Sequence, residues 1–116
     1  MAYSEPYDAL DEKTRDISRA ITSLREELEA IDWYNQRVST TQDQELKDVM
    51  AHNRDEEIEH AVMAFEWLRR NMEGFDEDMR TYLFSEGSLL EVEDKATAAV
   101  APKGPASTMT IGNLKN

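Results

Sequence analysis

Between Tyr7 and Val38 the apolar residues Leu10, Ile17, Ile21, Leu24, Leu28, Ile31 and Val38 recur at threes, fours and their sums. That spacing lines up one face of an α-helix and no face of a strand. It predicts one long amphipathic helix from about residue 7 to residue 38. Pro6 suits its first turn. Ser39, Thr40 and Thr41 interrupt the pattern, and Thr41 with Gln44 has the spacing of a capping box that would open a second helix. This second helix is expected from about Gln42 to Asn71, with Leu46, Val49, Met50, Ala61, Ala64, Trp67 and Leu68 on one side and Gly74 at its end. Two long helices joined by so short a loop pack as an antiparallel hairpin. Shorter helices are expected near residues 76–84 and 89–95.

An all-α chain of 116 residues built on one hairpin buries little surface by itself. Self-association is therefore expected, with the domain covering residues 1–95 and two copies forming a four-helix bundle. Residues 96–107 turn to Ala, Thr, Pro, Gly and Ser, a composition that reads as a flexible linker leading to a disordered tail. Lysine and arginine number 13 against 25 aspartates and glutamates, a net charge of -12. Such a surface repels phosphate backbones and anionic lipid and attracts cations, so neither nucleic acid nor membrane is an expected partner. The first residues lack the basic and apolar regions of a signal peptide, and no apolar run approaches a membrane span, so a cytoplasmic protein is expected. Without cysteine, any metal must be held by oxygen and imidazole.

The second helix carries such groups in an unusual place. With Val49 set at zero, Trp67 falls at about 0°, Leu46 and Ala64 at about 60° and Leu68 at about 100°, while His60 lies at about 20° and Glu57 at about 80°. A carboxylate and an imidazole thus stand inside the apolar stripe, one turn apart. Burying them costs several kcal/mol (about 3–5) unless they are paired or bind a cation. Glu27, at the edge of the stripe on the first helix beside Ile31 and Tyr34, is brought to the same height by an antiparallel hairpin. One chain offers three ligands, and two chains offer four glutamates and two Glu-x-x-His pairs, the ligand set of carboxylate-bridged di-iron and di-manganese bundles. In that arrangement Glu27 and His60 are terminal ligands and the two Glu57 carboxylates bridge. Glu56, about 40° from His60, replaces Glu57 if the helix is rotated. Glu26 and Glu29 read as solvated charges or a secondary cation site, Trp33 and Trp67 as packing groups of the dimer, and Met50 and Met63 as core filler. His52 falls toward the polar boundary and reads as exposed. Tyr34 is a packing group or one that hydrogen-bonds a ligand or relays an electron.

The stretches EELEAIDWYNQR (Glu26 to Arg37), AHNRDEEIEHAVMAFEWLRR (Ala51 to Arg70) and MRTYLF (Met79 to Phe84) resemble the encapsulated ferritin family. The resemblance implies a ferritin-like ferroxidase of two-helix chains. Its di-iron centre, two irons per dimer, forms across a two-fold interface, and its dimers assemble into a ring. It puts the iron ligands on Glu27, Glu57 and His60, an auxiliary acidic site on Glu26 and Glu29 with Trp33 beside it, and the tyrosine near the centre on Tyr34. Met109, Ile111 and Leu114 are isolated apolar residues at the end of a tether, as in docking peptides. Residues 108–116 resemble the peptide that loads cargo into encapsulin shells, with Asn113 at the usual serine position. The expected function is oxidation of Fe(II) by dioxygen, for iron storage and detoxification inside an encapsulin compartment. The alternatives are a manganese catalase-like or peroxidase-like enzyme that keeps the site, and a helical adaptor that binds no metal.

Overall fold

The computed structural model describes residues 3–100, and these fold as helices without a strand among them. A 3-10 turn at Tyr7–Ala9 leads into α1 (Glu12–Thr40), followed by α2 (Gln44–Asn71), α3 (Phe75–Tyr82) and α4 (Leu89–Val100). The chain divides into two compact units, Met1–Asp76 and Glu77–Asn116. No described helix is long and apolar enough to cross a membrane.

The first unit is the expected hairpin, with its ends placed differently. The chain is extended at Leu10, so the 3-10 turn and α1 are separate elements. Asp11 supplies the break: its carboxylate accepts a hydrogen bond from the Thr14 N–H at 2.7 Å, which caps α1 and holds the Asp11 pKa below the ordinary carboxylate range. Thr41 does not cap α2. It closes α1, donating its N–H and its hydroxyl to the Arg37 carbonyl. The N-cap of α2 is Asp43, which accepts from the Leu46 N–H at 2.9 Å. A charged carboxylate at that position satisfies an N–H and complements the helix dipole, so it prevails over the threonine two residues earlier. Gly74, at φ +100°, turns the chain between α2 and α3, a conformation that side chains beyond glycine resist.

Side chains that cross the hairpin fix it as antiparallel: Lys13 reaches Asn71, Glu27 reaches His60, and Asn35 reaches Arg54. Leu24, Ala61 and Leu68 form the buried core, with Ile17, Ala20, Ile21, Ile31, Ala64 and Phe75 packed around them. Of the expected stripe on α2, Leu46, Val49 and Trp67 are exposed, because one partner helix covers only a third of a helix's circumference. Met63 is not core filler; it is 58% exposed. Arg69 pairs with both Glu66 oxygens and with Asp76, and Arg70 joins at Glu66. These hydrogen bonds lower the Glu66 pKa to about 2 and tie the start of α3 to the end of α2.

In the second unit α4 runs to Val100, five residues past the expected end at Lys95. The segment Ala96, Thr97, Ala98, Ala99, although poor in apolar bulk, is rich in the residue that most favours helix. The linker assigned to residues 96–107 therefore opens with helix. The remainder of that linker and the expected docking peptide, with Met109, Ile111 and Leu114, lie outside the described residues.

Candidate metal centre

Glu27 projects from the middle of α1, and Glu57 and His60 from the facing turn of α2. One ligand atom of each can be chosen so that all three lie within 4.8 Å of one another. The Glu57-x-x-His60 spacing does the local work, since residues three apart share a helix face. Glu57 Oε1 stands 3.0 Å from His60 Nδ1, and Glu27 Oε2 approaches the same nitrogen from across the hairpin at 3.4 Å. The two carboxylate side chains are half-buried, at 23% and 26% exposed, whereas His60 is 42% exposed and opens to the outside of the hairpin.

Electrostatically the trio is unfinished. The hydrogen bond to Glu57 raises the His60 pKa; partial burial opposes it, and the charges of Glu27, Glu57 and Glu56 add to it. Even a protonated imidazole leaves one negative charge in excess. Glu27 Oε2 is buried without a hydrogen-bond partner, which a carboxylate oxygen tolerates poorly unless a cation or proton comes to it. Two carboxylates and one imidazole are hard and borderline donors, suited to iron, manganese or zinc. The residues present therefore fit a divalent cation.

Other sequence-predicted residues lie apart from this trio. Glu26 and Glu29 are exposed on the far side of α1, and Glu56 is exposed and acts on His60 only through its charge. Trp33 is half-exposed. Tyr34 is partly buried; the Arg37 guanidinium lies 5.4 Å from its ring centre and 6.0 Å from that of Trp33. His52 is exposed as expected. Apolar periodicity carried no signal for Arg54 or Asn35, whose bond crosses the hairpin next to the trio. The hint available was an arginine one turn before Glu57, a polar residue toward the buried side of α2.

A helical hairpin with glutamate and histidine converging between its two helices defines an all-α, ferritin-like protein. The family model described as EncFtn-like matches residues 2–86, and the chain belongs to that family. It is 53% identical over 95 residues to a "Ferritin-like protein" of Thermotoga maritima, covering 82% of this chain and 83% of that one. An "Encapsulated ferritin-like protein" of Rhodospirillum rubrum is 48% identical over 120 residues, covering 96% of this chain and 86% of its own. Among solved structures, protein ne0167 from Nitrosomonas europaea superposes with a TM-score of 0.74 at 54% identity, over 77% of this chain and 99% of that one.

Proposed function

We propose that the chain is a ferroxidase whose centre is completed when two copies meet. The observation that carries this reading is the convergence of Glu27, Glu57 and His60 with one buried glutamate oxygen left without a hydrogen-bond partner. Membership of the EncFtn-like family and similarity to proteins named ferritin-like support iron as the metal. A second copy brings the same three side chains, giving four carboxylates and two imidazoles for two irons. The exposure of His60, with Val49, Met63 and Trp67 exposed along the same side of α2, supports a partner on that side.

Within such a centre Fe(II) is the substrate and dioxygen the electron acceptor. Glu27 and Glu57 supply the negative charge that draws in and holds the ions. His60 must give up its Nδ1 proton, or turn, to offer a lone pair. Tyr34 is a packing or relay group on the Glu27 face of α1, with Arg37 fixing its ring. Glu26 and Glu29 form an outlying acidic patch that attracts iron without belonging to the trio. The relative named as encapsulated supports placement inside an encapsulin shell, with residues 108–116 as the docking peptide, so that shell rather than hairpin provides storage room.

The experiment is anaerobic addition of Fe(II) to the purified full-length oligomer, then admission of oxygen, following ferric absorbance. The wild type should oxidise iron only once oxygen is admitted, and Glu57→Ala and His60→Ala should each lose at least about tenfold in rate. Unchanged rates and iron content in both variants would remove the site. Oxygen release from peroxide by manganese-loaded protein, without iron oxidation, would give the alternative catalase-like chemistry.

A further inference from the structure

The ligand trio sits at the edge of the hairpin's core. Leu24, Ala61 and Leu68 lie level with it or toward the open end of the hairpin, and no residue of α1 or α2 on the turn side of the trio is fully buried. Full burial of apolar residues is therefore confined to one side of the trio, and on the turn side Ile31 and Met50 are only partly buried. A polar crossing lies there as well. Arg54, one turn before Glu57, donates from Nη1 to Asn35 Oδ1 at 3.0 Å and from Nε to Asp55 Oδ1 at 3.1 Å. Its side chain is 26% exposed, so the guanidinium is held along the seam and does not lie free in water.

We propose that Arg54, acting through Asn35, is a positioning residue for the metal centre: it holds α1 at the distance and rotation from α2 at which Glu27 reaches Glu57 and His60. This rests on the metal-site reading. Glu27 is the one ligand supplied by the other helix, so it alone depends on how α1 sits. A slip of one residue along a helix moves a side chain by about 1.5 Å and turns it by about 100°, enough to carry Glu27 out of reach. A directional, charge-assisted bond across the hairpin resists such a slip better than a lone apolar contact. Asp55 holds the guanidinium from α2, and Asn35 receives it on α1. The bond joining Lys13 to Asn71 also crosses the hairpin, but near its open end, beyond the core. It serves as a natural control, because it ties the same two helices without bordering the trio.

The test is Co(II) titration of full-length protein, read from the visible bands of the bound ion, on wild type, Asn35→Ala, Asn35→Asp and Asn71→Ala. Asn35 is exposed and alanine favours helix, so Asn35→Ala keeps its fold, as circular dichroism should show. It should weaken Co(II) binding about tenfold and change the band pattern, as loss of an outer support does at metal sites. Asn35→Asp keeps an acceptor for Arg54 and should bind within about twofold of wild type, far short of that loss. Asn71→Ala should lower thermal stability and leave Co(II) binding alone. Binding by Asn35→Ala equal to wild type, or an equal loss in Asn71→Ala, overturns the positioning role while leaving the metal site standing. A wild type without Glu57-dependent Co(II) bands overturns both.

Discussion

In the proposed centre His60 is the residue on which the chemistry turns, because a proton and a metal ion would compete for it. Glu57 raises its pKa by hydrogen bonding to Nδ1, with Glu27 and Glu56 adding by charge. Folding thus favours the protonated form. That contribution to stability is complete below the ordinary imidazole value of 6.5 and is lost as the pH rises through the raised value of the folded chain. A cation seeks the lone pair that the proton holds, so loading weakens as the pH falls and releases protons when it occurs. Glu57→Gln removes the charged acceptor and should bring the metal-free His60 titration down toward 6.5, as read from imidazole NMR shifts across the pH range. A titration left where it was would give the principal role to Glu27.

The helices leave apolar surface exposed that the proposed partner would cover. The face of α2 that meets α1 holds Ala61, Ala64 and Leu68, but Val49, Met63 and Trp67 project to one side of it and Ile58, Val62 and Phe65 to the other. Val49→Lys introduces a good helix former at a half-exposed position. It should leave the helical circular dichroism intact, break the oligomer on size-exclusion with light scattering, and abolish iron oxidation. An assembled and active variant would move the seam to the Ile58 side. The hairpin and the Glu27, Glu57 and His60 grouping were legible in the sequence because apolar spacing fixes which residues share a face and an antiparallel turn fixes which heights meet. Element ends were less legible: Asp11 and Asp43 each competed with other capping residues nearby, and the choice depends on local geometry. Apolar spacing also could not say which part of the α2 stripe its own hairpin covers, which is why Leu46 and Val49 read on one side with Leu68 and Met63 as core filler. Apart from the placing of Arg54 toward the buried side of α2, nothing marked its bond to Asn35, because any polar residue at those positions satisfies the same apolar pattern.

At the scale of the molecule, the proposed docking peptide is the part to test apart from the described helices. Removing residues 108–116 should leave iron oxidation by the purified oligomer unchanged and abolish co-purification with a shell protein. Retained encapsulation would show that the helical body carries the recognition. Among the described residues, the helices rest on three buried ones, of which Leu68 alone is completely shielded from water. So thin an interior has a consequence for timing. If two copies complete the centre as proposed, a lone chain holds half of it, and the encounter that builds the bundle also builds the site. Oxidative capacity would then rise with the square of dilute protein abundance, and solitary copies would not handle iron and oxygen.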